Sequence, residues 1–219
     1  MSKNGMVTTP IGSAMYPYLT EPVSFSQSEK KQLPDEDGTY LVDLVLNGKD
    51  AEGIMGHIDR ALDASFEKAK EVKKGSRKKP EKADAPYQEM EDDQGELNGN
   101  IRFRFKLRGK GKNPKTGKTW TQRPAIFNCK GVPYPSGTEI WGGSQIKVAF
   151  ETIPYFMNST NKAGVTLRLK AVQVIDLVTG SEKTADAFGF VEEEGTANTI
   201  PEKEEVEVAS EVFEGDEDF

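Results

Sequence analysis

The most constraining stretch of the chain is eight residues long. Across residues 101–108 apolar and cationic side chains alternate without a break: Ile101, Phe103, Phe105 and Leu107 against Arg102, Arg104, Lys106 and Arg108. A strand sends successive side chains to opposite faces, so this run builds one wholly apolar face and one wholly cationic face. A helix would wind both sets around its axis and give neither a face of its own. The strand therefore demands a core behind it and leaves four like charges side by side in front. Solvated strand faces usually mix signs, and like charges this close repel. An anionic partner would relieve that cost. The surroundings reinforce the point: residues 97–138 hold ten bases and no acid.

The rest of the pattern supplies a small β domain around that strand. Residues 39–46 are a β-rich run after the turn Asp35-Glu36-Asp37-Gly38, and further strands are expected at 100–108, 119–129, 145–153 and 164–176. Residues 50–74 read as a helix. Ile54, Ile58, Ala61, Leu62, Phe66, Ala69 and Val72 recur at three- and four-residue spacing, Asp50 is the expected N-cap, and lysines crowd the C-terminal end. Residues 75–99 read as an exposed polar loop. Residues 1–34 read as an extended arm that adds an edge strand near 11–19. Residues 35–191 form the domain, with Phe188 to Val191 as its last apolar patch. About five strands and one helix fit a small antiparallel barrel, and a sandwich usually wants more strands.

Composition excludes several classes. The net charge of −7 misleads, because residues 191–219 hold twelve acids against one base, Lys203. The other 190 residues keep 28 of the 29 bases and 24 of the 36 acids, a net +4. A mildly basic body carries a strongly acidic tail, and residues 192–219 have the composition of a disordered segment. No apolar stretch is long enough to span a bilayer and the opening residues lack an apolar signal region, so neither a membrane protein nor a classically secreted one is expected. A single cysteine, Cys129, rules out an internal disulfide and a cysteine-based zinc site; it reads as a small buried apolar residue. A single histidine, His57, reads as a structural or surface residue and not a catalyst. No cofactor or metal is expected.

The basic region has the makings of a phosphate-tracking surface. Residues 109–118 form a flexible finger carrying Lys110, Lys112, Lys115 and Lys118. Gly117-Lys118-Thr119 is not a phosphate-binding loop of the nucleotidase kind, because the spacing to Gly111 is five residues and β-like sequence follows. Trp120, Phe127, Tyr134, Trp141, Tyr155 and Phe156 offer rings, and base stacking on such rings tolerates any sequence. Tyr155 and Phe156 stand out because they sit at a strand end before a polar turn. Arg102, Arg104, Lys106, Lys147, Arg168 and Lys170 are the expected phosphate contacts, with Tyr155, Phe156 and Trp120 as stacking residues. Neutralising about five phosphates would give a salt slope of about −3.5. A Mg²⁺-dependent nuclease built on Glu91, Asp92 and Asp93, a duplex or RNA binder, and a structural virion protein are the alternatives.

Several segments together resemble one family. They are Ile11-Gly12-Ser13-Ala14 with Tyr16-Pro17-Tyr18, Gly38-Thr39-Tyr40-Leu41-Val42-Asp43-Leu44, Ala85-Pro86-Tyr87, Ile140-Trp141-Gly142-Gly143-Ser144-Gln145-Ile146-Lys147-Val148, Val165-Thr166-Leu167-Arg168-Leu169-Lys170-Ala171-Val172-Gln173-Val174, and the acidic end closing in Asp218-Phe219. In this order they resemble the replicative single-stranded DNA-binding proteins of T-odd-type bacteriophages. The resemblance implies a five-stranded OB-fold and a non-enzymatic protein of phage DNA replication, recombination and repair in the cytoplasm of the infected host. It implies sequence-independent single-strand binding, strand annealing, and a homodimer. It also implies that Asp216, Glu217, Asp218 and Phe219 contact the phage DNA polymerase and helicase-primase. Met157 stands where a family member can carry Trp. The charge split suggests that the tail competes with DNA for the basic face.

Overall fold

The computed structural model describes residues 5–178, apart from Lys115 and Ser136. Lys115, the patch from Phe188 to Val191, and the whole acidic tail with Asp216, Glu217, Asp218 and Phe219 lie outside the described residues. The described elements are β1 (Met6–Thr8), β2 (Gly12–Ser26), β3 (Lys31–Pro34), β4 (Thr39–Asn47), α1 (Gly48–Val72), β5 (Glu81–Lys82), β6 (Tyr87–Glu91), β7 (Leu97–Arg108), β8 (Lys110–Lys112), β9 (Thr119–Thr121), β10 (Ala125–Phe127), β11 (Gln145–Met157) and β12 (Lys162–Asp176).

Five long strands close a ring. β2 pairs with β4, β4 with β7, β7 with β12, β12 with β11, and β11 returns to β2. This is the five-stranded OB architecture. One expectation needs correcting: the ring is not wholly antiparallel. β7 and β12 run parallel, with Leu167 opposite Phe105 and Arg168 opposite Lys106. Four ring strands are those expected from the sequence, and the helix begins two residues earlier than expected.

The fifth ring strand is a second correction. The edge strand expected near residues 11–19 of an N-terminal arm is instead part of a longer strand, Gly12–Ser26, that is a full member of the ring. Its period is broken by bulges, and Pro17 and Pro22 remove two donors, so it does not read as a long strand. The expected strand at 119–129 is instead two fragments, β9 and β10, interrupted at Pro124, which has no N–H to give a ladder. Among the described residues β9 pairs with β8 alone, and β10 takes the edge of β12 beyond β7. The expected 75–99 loop is also partly strand, because β6 folds back on β7.

The core lies inside the ring. Val42 and Leu44 of β4, Phe103 and Phe105 of β7, Ile146, Val148 and Phe150 of β11, and Leu167 and Leu169 of β12 are essentially inaccessible. Full burial of such side chains is worth about 1.5–3 kcal/mol each. α1 packs Ala51, Ile54, Ile58, Leu62, Ser65 and Ala69 inward. Asn47, not Asp50, is its N-cap: the Asn47 side chain accepts the Asp50 backbone N–H at 3.1 Å. Polar pins fix the helix against the ring. Ser65 donates to the Gly164 carbonyl at 2.9 Å, and His57 Nε2 lies 3.0 Å from Thr152 Oγ1, the structural one of the two roles expected for it. No helix among the described residues is long and apolar enough to cross a membrane.

Candidate nucleic-acid interface

A groove of about 760 Å³ runs along the outer face of the barrel at the parallel junction of β7 and β12. Arg102, Arg104, Lys106 and Arg108 reach it from β7, and Arg168 from β12. Strand alternation puts these side chains outward because Ile101, Phe103, Phe105, Leu107, Leu167 and Leu169 are the buried members of the same strands. Lys106 and Arg168 are direct cross-strand neighbours and both are exposed. The acid among the lining residues is Asp84.

Arg104 differs from the other three bases of its row. Its Nε and Nη2 donate to the two carboxylate oxygens of Asp43, both at 2.7 Å. Asp43 stands opposite Arg104 in the β4–β7 ladder and is fully buried on the outer side of β4. The Asp43 hydrogen bonds raise the Arg104 pKa further and hold its plane fixed. Arg102 Nε lies 3.8 Å from the same carboxylate, and Arg102 Nη2 donates to Gln88 Oε1 at 2.5 Å. The cationic row thus has a counter-charge built beneath it. Sequence alternation alone does not reveal it, because Asp43 sits inside an apolar run.

Two of the rings lining the groove each rest on a glycine. Tyr155 of β11 faces Gly164 of β12, and a Cβ on that glycine would fall 2.5 Å from Tyr155 Cζ and Oη. Trp120 of β9 faces Gly111 of β8 in the same manner, closer still, and is 41% exposed. The missing side chains let both rings cross the neighbouring strand. Tyr87 is a third ring in the lining. Its hydroxyl donates to Asp59 Oδ1 at 2.9 Å, and burial first, then Asp59, push its pKa up to about 12. Tyr87 and Arg108 were not among the expected site residues. Arg108 completes the alternating row, a signal already in the sequence.

The other expected residues lie elsewhere. Lys110 pairs with Asp37 at 3.0 Å, and Lys170 with Glu151 at 3.4 Å. Lys147 is partly buried on β11 and does not line the groove; nor does Phe156, over whose ring Lys73 Nζ sits at 5.1 Å. Lys112 and Lys118 are exposed on the finger. Cys129 is exposed, contrary to the expectation of burial, in a turn where Asn128 Oδ1 accepts the N–H groups of Lys130 and Val132. Asp92, one of the three acids weighed as a metal site, instead accepts the backbone N–H groups of Gln94 and Glu96. Among the described residues no group of three or more metal-ligating side chains comes together.

Comparison with known proteins identifies this arrangement. Residues 12–177 match the family model of the single-stranded DNA-binding protein of bacteriophage T7. The single-stranded DNA-binding protein of Enterobacteria phage T3 is 26% identical, covering 99% of this chain and 98% of its own. That of Escherichia phage T7 is 27% identical over 86% of this chain and 83% of its own. The fold is similar to the crystal structure of gp2.5, the T7 single-stranded DNA-binding protein, with a TM-score of 0.65 and 25% identity over 89% of this chain and 98% of that one. The single-stranded DNA-binding protein of bacteriophage Enc34 in complex with ssDNA shares the fold at a TM-score of 0.54 and 14% identity, over 82% of this chain and 90% of that one. The family match spans the whole described ring, and with it the chain belongs to the bacteriophage T7 single-stranded DNA-binding protein family.

Proposed function

We propose that the protein binds single-stranded DNA without sequence preference along the β7–β12 groove, in phage DNA replication and recombination, and that it is a binding protein and not an enzyme. The observation that carries this reading is the convergence of five cationic side chains and the rings of Tyr155 and Trp120 on one groove. Bases and rings together are the chemistry of sequence-tolerant strand binding. Arg102, Lys106, Arg108 and Arg168 contact phosphates, and Tyr155 and Trp120 stack on bases. Arg104, already neutralised by Asp43, orients the strand through its remaining N–H donors. Lys112 and Lys118 add exposed charge from the finger, Lys115 adds a further positive charge to the same sequence, and Lys147, Lys170 and Phe156 are secondary.

The deciding measurement is fluorescence anisotropy with oligothymidylate over a salt series. Four phosphate contacts predict a slope of about −2.8, shallower than the five-phosphate value because Arg104, neutralised by Asp43, releases no net counterion. A salt-independent affinity would sink this reading. Competition with duplex and RNA of equal length tests strand preference, and DNA left uncut after prolonged incubation with Mg²⁺ tests the absence of nuclease activity.

The acidic tail competes with DNA for this cationic groove, and on DNA binding it recruits partners through Asp216, Glu217, Asp218 and Phe219. The opposed charges of the two parts of the sequence support this. The partners are the phage DNA polymerase and helicase-primase, the protein pairs as a homodimer, and it acts in the host cytoplasm and promotes strand annealing. Truncation after residue 191 is expected to tighten binding, most at low salt. Equal affinity of the two forms would remove the competition.

A further inference from the structure

Beyond Arg104, on the side away from β12, the barrel carries an aromatic cleft that the cationic groove does not include. It measures about 660 Å³ and is lined by Tyr16, Pro17 and Tyr18 of β2 and by Ile140 and Trp141. Trp141 is 49% exposed and Tyr16 is 55% exposed.

Tyr16 is held out by the backbone. Its φ is 49°, in the left-handed region that a bulky residue adopts only where its surroundings impose it. The β2–β4 register slips between Met15 and Tyr18, beside Pro17. Bulges of this kind re-aim a side chain. Met15 faces Asp43, and Asp43 faces Arg104, so Tyr16 lies two strands from the cationic row.

The charges around the cleft decide what can enter it. The ionic side chains lining it are Glu21 and Glu139, which repel phosphate. Neutral, flat bases face no such barrier. The cleft thus lies two strands from the cationic row and has the opposite electrostatic character.

We propose that Tyr16 is a further stacking residue for single-stranded DNA: the strand leaving the groove past Arg104 lays its next bases on Tyr16 and over Trp141, with its phosphates kept on the Arg102 and Arg104 side. This rests on the single-strand reading above. It assigns the cleft a contribution that salt does not weaken.

The test uses full-length protein and oligothymidylates of increasing length. Tyr16→Asn removes the ring while tolerating the left-handed backbone, and Tyr16→Phe keeps the ring. Tyr16→Asn is expected to bind long oligonucleotides about fivefold to a hundredfold more weakly, the range of one lost stacking contact. Its salt slope should match wild type, and Tyr16→Phe should bind normally. In a Trp120→Phe background Trp141 is the sole tryptophan. Its emission should be quenched by long oligonucleotides, and Tyr16→Asn should reduce that quenching. A Tyr16→Asn protein that binds long oligonucleotides as tightly as wild type overturns the proposal, whatever Trp141 does. Wild-type protein that binds no oligothymidylate at all overturns the underlying reading instead.

Discussion

The outward row of β7 and the finger between β8 and β9 are equally basic in sequence but are different objects in space. The β7 row stands on a ring strand whose other face is the core, and its middle member is clamped by Asp43. The finger stands on a two-stranded sheet whose residues are not buried, tied to the barrel by the Lys110–Asp37 pair and the hydrogen bond from Gly109 N–H to the Gly38 carbonyl. Charge density alone does not distinguish them. The backbone beneath the charges does: the first presents its bases in a fixed row, and the second presents them on long, solvated side chains.

The strongest way to break the contrast is to remove the clamp. Asp43→Ala leaves Arg104 without its buried counter-charge and should lower unfolding stability by about 2 kcal/mol, below the full cost of breaking a buried pair because Arg104 is half exposed. Urea denaturation with an unchanged m-value checks it. Next come the rings. Tyr155→Ala should weaken oligothymidylate binding by about 1–3 kcal/mol. Trp120→Ala, on the finger, should cost less, and equal losses would erase the difference between rigid and peripheral rings. Charge removal is smaller per residue. The Lys106→Ala, Arg168→Ala double variant should flatten the salt slope by about 1.4, from two lost phosphate contacts. Lys112→Ala with Lys118→Ala should flatten it by less than half of that. The smallest effect concerns Tyr87. Its raised pKa means the neutral phenol is favoured in the fold, so its stabilising contribution is complete below about pH 10 and is lost as pH rises towards about 12. Ultraviolet titration should find one tyrosine ionising about two units late, and Asp59→Asn should bring that value down.

Much of this arrangement is legible in the sequence, for physical reasons. Strict alternation placed β7 and its two faces, and the helical spacing of Ile54, Ile58 and Leu62 placed α1. Arg102, Lys106, Arg168, Tyr155 and Trp120 follow from the same patterns and meet in the groove. What escapes is whatever depends on a partner strand. Asp43 looks like an interruption in an apolar run until β7 brings Arg104 opposite it. The depth of Gly12–Ser26 in the fold is hidden because bulges break its period. Lys110 and Lys170 look free until Asp37 and Glu151 are set beside them. The glycines under Tyr155 and Trp120 read as turn or breaker residues, and only cross-strand register gives them a purpose.

The position of β12 has a consequence for how the chain comes to be folded. This strand is the last of the described elements, yet its two edges meet β5, β7 and β10 on one side and β11 on the other. Its partners come from sequence positions as early as residue 81. Until β12 is in place, β7 and β11 each have an unpaired edge, and such edges invite pairing with other chains. On the ribosome the barrel therefore cannot close until residues as far as 176 have emerged, and the groove between β7 and β12 does not exist before that. Folding of this kind is dominated by distant contacts and is correspondingly slow. The cationic groove is among the last features of the molecule to form, assembled by the same strand that completes the ring.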